Sequence, residues 1–285
     1  MALVKMLASS LFFVLNTTWV FLLMIPVALV KLLVPVAAVR KVCNLVLNGM
    51  ANRYNIFNAW WVDCINPVQW RIERPADLSE KDWYLLVCNH QSWVDILVLQ
   101  STFNGRVPFL KFFIKYELIY IPMLGFAWWA LDFPFMRRRG GASAKKDLEV
   151  ARQACEKFRH MPTSVINFLE GTRFTLDKQR EQKSPYQHLL KPKIGGIGMA
   201  LETMGDMFTN VLDVTIAYPQ GTPSFTDLMA GRMREVVVQI RKLPVPLEAL
   251  NAEGVLDRHA MQAWTTALWQ EKDQQLAQLM QPAEK

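Results

Sequence analysis

The sequence lacks the short motifs that identify several common kinds of active site. Its 285 residues contain no Walker phosphate loop, no H-E-x-x-H zinc motif and no G-x-S-x-G nucleophile elbow. Its four cysteines (Cys43, Cys64, Cys88 and Cys155) form no C-x-x-C pair, which argues against a zinc cage or a disulfide framework and fits a reducing compartment. The stretch "GGIGMA" at 195–200 lacks the third glycine of a dinucleotide-binding turn. We therefore interpret it as small residues where a helix starts close to a sheet.

Charged residues are also scarce. They make up 20% of the chain against 52% hydrophobic residues, a balance that soluble domains seldom show. The net charge is nevertheless +7, with an isoelectric point near 9.3. An anionic partner fits that sign, and membrane headgroups, nucleic acid and a phosphorylated substrate all qualify.

The N-terminus carries a long run without charge, residues 6–30. At about 1.5 Å per residue such a run can cross a bilayer core of roughly 30 Å. Pro26 and Pro35 interrupt the pattern and leave two interpretations. The first is a single spanning helix with an interfacial tail. The second is a broken hairpin that puts Lys5 and the Arg40–Lys41 pair on the same positively charged face. A buried core helix of a soluble protein is the remaining alternative. We expect the protein to sit on a membrane and to face the cytoplasm.

The pattern after residue 45 alternates between short apolar runs and helical stretches. The predicted strands are 68–73, 83–88, 131–136, 164–169, 211–217 and 235–240. The predicted helices are 92–102, 143–160, 196–207 and 257–280. This alternation predicts an α/β domain, residues 46–285, around a mixed, mostly parallel sheet flanked by helices. An N-terminal membrane-anchoring helical segment, residues 1–45, precedes it.

Two segments between these elements have their own character. The polar, basic segment 176–193 is predicted as a surface loop near the active face, and the last helix as a packing element. The aromatic and aliphatic segment 110–130 is either core or a guide for a lipid chain.

The stretch "VCNHQSWVDIL" at 87–97 places His90 five residues before Asp95. On a continuous helix these two side chains would point about 140° apart. A strand ending near residue 88, a turn, and a helix capped by Ser92 with Asp95 at its third position would instead let the imidazole reach the carboxylate. Such a pair can act as a general base, because the carboxylate orients and stabilises the imidazolium. The alternative is a turn histidine beside a helix-dipole aspartate.

Two further motifs follow predicted strands. In "NFLEGTRFT" at 167–175, glycine permits close backbone approach, Thr172 offers a hydroxyl and Arg173 offers a planar fork suited to phosphate. In "FMRRRG" at 135–140, three arginines end a strand. The alternative for the first motif is a surface turn with a salt bridge. The alternative for the second motif is a solvated face. Because sheet ligands gather at the carboxyl ends of strands, both motifs are candidate anion sites.

Together these motifs resemble the four motif blocks of the glycerolipid acyltransferases. His90-x-x-x-x-Asp95, Phe135-Met136-Arg137-Arg138, Phe168-Leu169-Glu170-Gly171-Thr172-Arg173 and "IAYP" at 216–219 follow the order and approximate spacing of those blocks. The nearest branch resembles the lysophosphatidate (1-acylglycerol-3-phosphate) acyltransferases and their bacterial inner-membrane paralogues. The match covers about residues 80–270.

The resemblance implies transfer of an acyl group from acyl-CoA or acyl-carrier protein to the hydroxyl of a lysophospholipid, in phospholipid biosynthesis or remodelling. By motif, His90 would be the general base and Asp95 its orienting partner. The residues implied to bind the anionic acceptor are Arg138, Glu170, Gly171, Thr172, Arg173 and, from a "K-x-E-L" stretch like the family's, Lys115. No cofactor and no metal are expected; the partners are the acceptor, the acyl donor and membrane lipids, with an inner-membrane location.

One position departs from the family pattern, which usually has proline before Glu-Gly-Thr-Arg. Here it is Leu169, so we expect a looser turn and leave the acceptor headgroup open. The backbone amides near 91–93 are the expected donors to the reaction's oxyanion. Two rival classes are a lipid hydrolase using the same base, and a membrane scaffold or nucleic-acid-associated protein. We expect no nucleic-acid partner, because the basic residues cluster at strand ends and loops rather than in one stripe.

Overall fold

The computed structural model describes residues 1–136 and 161–281, together with Glu149, Gln153, Glu156 and Phe158. Most of the predicted helix at 143–160 and the predicted site residue Arg138 lie outside the described residues. The helices are α1 (Ala2–Leu33), α2 (Ala37–Ile65), α3 (Val94–Phe103), α4 (Leu124–Ala130), α5 (Leu176–Glu181), α6 (Ile194–Met204), α7 (Phe225–Met229) and α8 (Arg258–Leu279). The strands are β1 (Gln69–Glu73), β2 (Tyr84–Cys88), β3 (Leu110–Phe112), β4 (Ile114–Lys115), β5 (Phe135–Met136), β6 (Ser164–Phe168), β7 (Asn210–Ala217) and β8 (Glu235–Leu243).

The N-terminal segment is a hairpin of two antiparallel helices. The Lys5 ammonium near the start of α1 donates to the carbonyl of Ile65 at the end of α2, at 2.8 Å. The helix continues through Pro26, and the break between α1 and α2 falls around Pro35. The hairpin interpretation that put Lys5 and the Arg40–Lys41 pair on one face is therefore wrong. The two charged groups lie at opposite ends of the hairpin, on the order of 40 Å apart along α1.

The helix α1 is long and apolar enough to cross a membrane, by length and composition, and only 11% of its most apolar stretch is buried. Its outward side chains include Leu7, Leu11 and Trp19, all more than half exposed. A large apolar surface of this kind marks a membrane or partner contact. The predicted domain boundary at residue 45 stays a prediction; residue 45 itself lies inside α2.

The described strands form a six-stranded sheet in the order β1-β8-β7-β2-β6-β3. The four strands β7, β2, β6 and β3 are mutually parallel, whereas β8 runs antiparallel to β7 and pairs in parallel with β1. The predicted mixed, mostly parallel sheet is confirmed. All five side chains of "YLLVC" in β2 are buried, as expected for an uninterrupted apolar strand covered on both faces.

Helices cover both faces of this sheet. On one face, Trp269 of α8 and Leu201 of α6 pack in one apolar cluster with Val165 of β6. On the other face, Val98 of α3 and Val62 of α2 pack with Leu86 of β2. The last helix is thus a packing element, as predicted.

Short elements account for the differences from the predicted pattern. The strand expected at 131–136 is reduced to β5, which pairs with β4 in a separate two-stranded sheet. The segment 110–130 forms β3, β4, a turn of 3-10 helix and α4, and the loop expected at 176–193 contains α5. Small residues in "GGIGMA" do lie where a helix starts against a sheet. A Cβ atom added at Gly196 of α6 would come within 2.6 Å of the Asn167 side chain on β6.

Candidate active site

His90 and Asp95 are in contact. The Nδ1 atom of His90 lies 2.8 Å from Oδ2 of Asp95. The chain ends β2 at Cys88, turns through 89–93 and enters α3 at Val94, so the strand–turn–helix geometry predicted for this stretch is the one observed. A bond at Nδ1 leaves Nε2 of the imidazole as the atom that can take a proton from a substrate.

The Asp95 carboxylate is fully buried and held by four donors. Besides the imidazole, Oδ2 accepts the backbone amides of Gln91 (2.6 Å) and Ser92 (2.9 Å), and Oδ1 accepts the hydroxyl of Tyr218 (2.6 Å). Burial and the nearby Asp95 carboxylate raise the pKa of Tyr218 well above its ordinary value, so the phenol stays protonated as a donor. The carboxylate is therefore fixed before any substrate arrives.

The predicted capping box is only half present. The Asp95 side chain accepts a hydrogen bond from the Ser92 amide, as the box requires. The helix, however, begins one residue later than expected, and its N-cap residue is Trp93. The Ser92 hydroxyl accepts from the Val94 amide instead of the Asp95 amide. Because the Gln91 and Ser92 amides both point at Asp95, the prediction that they would serve an oxyanion is wrong. The Trp93 amide does not donate to the Asp95 carboxylate.

The His90–Asp95 pair sits where three adjacent parallel strands end. The imidazole of His90 follows β2 and stacks on the ring of Phe168 at the end of β6, with ring centroids 4.1 Å apart. Tyr218 directly follows β7. The buried side chain of Asn89 ties the β2 exit to β7, donating to the carbonyl of Ile216 and accepting from its amide, both at 2.9 Å. The end of β6 thus supports the His90 ring by stacking, and the end of β7 supports the backbone next to it.

Glu170 has a different role from the expected one. Its side chain is fully buried, and its two oxygens accept the backbone amides of His90 (2.8 Å) and Leu190 (2.9 Å). Burial raises the pKa of this carboxyl to about 8, against the lowering effect of the two amide bonds. Glu170 therefore does not face an acceptor phosphate. It holds the backbone at His90, which makes it a positioning residue.

The rest of the Glu-Gly-Thr-Arg turn does carry cations toward the surface. The Arg173 guanidinium lies over the Trp93 ring, 4.6 Å from its centroid. Lys178 of α5 donates to the Thr172 hydroxyl at 2.8 Å and to the Arg173 carbonyl at 3.0 Å. These groups form a compact positively charged surface beside His90, suited to phosphate.

Gly171 is required by the shape of this turn. Its φ of +67° is a conformation that favours glycine, and a Cβ atom there would lie 3.2 Å from the Lys193 side chain. Its amide closes the turn onto the Phe168 carbonyl at 2.9 Å, and Leu169, the residue in the usual proline position, is buried in the core. Lys193 thus lies against the turn as a further cation.

Lys115 is a predicted site residue that makes no contact with the other predicted site residues in the described part of the chain. It lies on β4, exposed, with its ammonium 3.7 Å from Glu117, and no contact in the described part of the chain joins it to His90 or Arg173. Its strand pairs with β5, which leads into the arginines at 137–139. Among the described residues, no group of three or more His, Cys, Asp or Glu side chains could hold a metal ion.

A large apolar cavity lies next to the turn that carries His90. It has a volume of about 580 Å³ and lies between α1, α2, α3 and the segment 109–133. Trp93, three residues after His90, lines it together with Phe13 and Phe225, while Met24, Trp128 and Phe133 line it further along. The aromatic segment 110–130 therefore supplies part of a cavity wall and also packs in an apolar cluster with α1 and α2, so its use as a lipid guide stays a prediction. A cavity of this size and lining suits an alkyl chain.

Sequence reasoning missed several members of the site. Tyr218 stands inside the "IAYP" block, so its position was noted but its bond to Asp95 was not predicted. Lys178 and Lys193 fall in the basic segment 176–193, where only overall composition indicated a role. The contacts of Asn89 and Leu190 join segments that are far apart in the chain, and no local pattern indicates them.

Comparison with known proteins agrees with this geometry. A family model described as "Acyltransferase" matches residues 69–219, which include His90, Asp95, Tyr218 and the Glu-Gly-Thr-Arg turn. The chain is 25% identical over 225 residues to 1-acyl-sn-glycerol-3-phosphate acyltransferase gamma of Mus musculus, covering 75% of this chain and 57% of that protein. It is 27% identical over 209 residues to lysocardiolipin acyltransferase 1 of Danio rerio, covering 67% of this chain and 51% of that protein. The chain thus spans a little over half the length of these curated relatives.

A solved structure has a similar fold. The crystal structure of the 1-acyl-sn-glycerophosphate (LPA) acyltransferase PlsC from Thermotoga maritima matches over 100% of both chains, with a TM-score of 0.59 and 19% sequence identity. At that identity the likeness extends to the fold alone, including the helical N-terminus ahead of the sheet.

Proposed function

Because this chain belongs to the acyltransferase family, we propose that it transfers a fatty acyl group from an acyl thioester to the free hydroxyl of a lysophospholipid. The observation that carries the proposal is the 2.8 Å contact between His90 and Asp95 beside an apolar cavity and a cationic turn. The donor is acyl-CoA or acyl-carrier protein, and the acceptor resembles lysophosphatidate, as in the relatives' names.

The chemistry needs no nucleophile from the protein. The Nε2 atom of His90 takes the hydroxyl proton as the acceptor oxygen attacks the thioester carbonyl carbon. A C–O bond forms and the C–S bond breaks, and the imidazolium returns the proton to the thiolate that leaves. Asp95, itself oriented by Tyr218, stabilises the imidazolium through Nδ1 while it exists. A thioester is already activated, which fits a site with a base and no attacking serine.

The two substrates fit the two sides of the site. The cavity beside Trp93 would bury the fatty chain of the acyl donor. Arg173, Lys178 and Lys193 would hold the phosphate of the acceptor outside it. We propose further that α1 anchors the protein in the inner membrane, with the catalytic domain on the cytoplasmic side, so that lipids reach the site from the bilayer.

Replacing His90 tests the mechanism. His90→Ala removes the proton acceptor, so acyl transfer from acyl-CoA to lysophosphatidate should fall by roughly 10²–10⁴-fold. His259→Ala, at the exposed start of α8, is the matched control and should keep full activity. The measurement is product formation by purified full-length protein in lipid–detergent micelles. Near-normal turnover of His90→Ala would sink the mechanism, and release of free fatty acid at an equal rate without acceptor would identify a hydrolase instead.

A further inference from the structure

The cavity beside His90 is not uniformly apolar. Five of its lining residues are polar: Thr17, Tyr54, Asn55, Asn58 and Gln100. The α1 and α2 members lie opposite one another in the helix hairpin, with the Thr17 and Tyr54 hydroxyls 3.2 Å apart. A plain alkyl chain offers these groups no hydrogen-bond partner, so a polar band in such a cavity calls for an explanation.

Asn58 carries the strongest signal within this band. Its side chain is 1% exposed, and its Oδ1 accepts from Asn16 at 2.8 Å. Its Nδ2 is buried and has no hydrogen-bond partner among the described residues. Native proteins seldom leave a buried amide donor in that state without a ligand or another partner for it. The missing partner must be a hydrogen-bond acceptor.

The position of the band along the cavity narrows the choice of ligand. Trp93 lies in the turn that carries His90, and Phe13 packs near Phe225, two residues after Pro223, whose carbonyl accepts from the Ser92 hydroxyl. These residues mark the end of the cavity close to that turn, and Thr17 lies about one helical turn from Phe13, roughly 6 Å along α1. Met24, in the wholly apolar part, lies roughly 16 Å from Phe13 along the same helix. An acyl chain whose carbonyl sits at His90 would therefore pass the polar band soon after its carboxyl end.

We infer that the cavity accepts acyl chains bearing a hydroxyl group near the carboxyl end, such as 3-hydroxyacyl donors. The chain hydroxyl accepts from the Asn58 amide, the unmatched donor of the band, and donates to an oxygen of the Thr17–Tyr54 hydroxyl pair. The inference rests on the proposed acyl transfer and adds a substrate class to it. A site built to hydrogen-bond a substrate hydroxyl discriminates against the analogue that lacks it.

The test compares two donors on the full-length protein in lipid–detergent micelles. With lysophosphatidate as acceptor, kcat/KM is measured for 3-hydroxymyristoyl-CoA and for myristoyl-CoA, and the ratio should favour the hydroxylated donor by roughly 10-fold. A donor hydroxylated at the far end of the chain should gain no such advantage. Asn58→Leu should lower the ratio toward unity, whereas Asn52→Leu, on the same helix but outside the cavity lining, should leave the ratio unchanged.

A binding measurement on the wild-type chain keeps the inference testable if Asn58→Leu does not fold. Quenching of cavity tryptophan fluorescence should report tighter binding of 3-hydroxymyristate than of myristate. Equal use and equal binding of the plain and 3-hydroxylated chains would overturn the inference while the proposed function stands. Transfer from neither donor would overturn the proposed function, and the inference with it.

Discussion

At the scale of single residues, the site depends on how completely Asp95 is held. Three protein donors besides His90 fix its two oxygens, so the carboxylate cannot rotate away from the imidazole. This explains why a histidine and an aspartate five residues apart can act as one proton acceptor. The local pattern predicted their contact, but Tyr218 follows a strand more than a hundred residues later in the chain, and only the folded sheet brings it there.

The contribution of Tyr218 can be measured. Tyr218→Phe leaves Oδ1 of a buried carboxylate without its donor, and we expect kcat to fall roughly 10-fold with an altered pH profile. Asp95→Asn also removes the charge that stabilises imidazolium, so its loss should be larger, on the order of 10²–10⁴-fold. Tyr186→Phe, in the core on the other side of the sheet, is the control and should leave the pH profile unchanged. An unchanged pH profile in Tyr218→Phe would contradict its positioning role.

Glu170 makes folding stability depend on pH. Its pKa is raised from the ordinary 4.5 to about 8, chiefly by burial. The folded state therefore binds the proton more tightly than the unfolded state does, and the resulting stabilisation is complete below about pH 4.5 and is lost as pH rises through about 8. In Glu170→Gln this fall in the free energy of unfolding should disappear, as judged by denaturant unfolding at several pH values. An equal pH dependence in wild type and variant would refute the assignment, and Glu248→Gln, on the surface, serves as control.

At the scale of elements, the last helix is fastened to the sheet by a buried ion pair. Lys272 of α8 is fully buried, with its ammonium 2.6 Å from Asp213 of β7 and donating to the Val214 carbonyl at 2.7 Å. Composition predicted a packing helix, but nothing in the sequence distinguishes Lys272 from the other lysines. Which lysine is buried depends on which face of the helix packs against the sheet, and only the folded structure shows that.

Removing this lysine should loosen α8. Lys272→Met leaves Asp213 buried with Arg241 as its remaining ion-pair partner among the described residues, and we expect the free energy of unfolding to drop by about 3 kcal/mol. Lys242→Met is a matched control, because Lys242 has an ion pair with Asp77 of nearly the same length, 2.7 Å, but on the surface. Solvent screens that pair, so its loss should hardly change stability. Equal effects of the two substitutions in denaturant unfolding would show that burial does not decide the outcome.

The elements that sequence analysis predicted are the ones with strong periodic or apolar patterns. The strands β2, β6, β7 and β8 and the helices α3, α6 and α8 were all expected within a few residues. The strands β3, β4 and β5 have only two or three residues each, too few to show a pattern, so they were missed or overextended. The course of the N-terminus was left open because its composition is the same in a single span and in a hairpin. Contacts such as Lys5 with Ile65 show that α1 and α2 fold as a hairpin, and how that hairpin crosses a membrane stays a prediction.

At the scale of the whole molecule, one pair of helices faces two environments, the cavity inside the protein and the exterior. Helices α1 and α2 line the cavity through Val20, Met24 and Ala51 and present Leu11, Trp19 and other apolar side chains outward. The wall between the cavity and the exterior is thus one helix thick. The cavity-lining surface of the hairpin cannot be separated from its outward apolar surface, which argues against treating the hairpin as a detachable tether.

That thin wall has a kinetic consequence. If the acceptor lipid and the enzyme share one membrane, their encounters occur in two dimensions, and turnover follows the mole fraction of acceptor among its neighbouring lipids rather than its amount per volume of solution. Diluting the acceptor with inert lipid would then slow the reaction, while adding buffer would not. The fatty product, already level with the hydrocarbon layer, would depart sideways without crossing water.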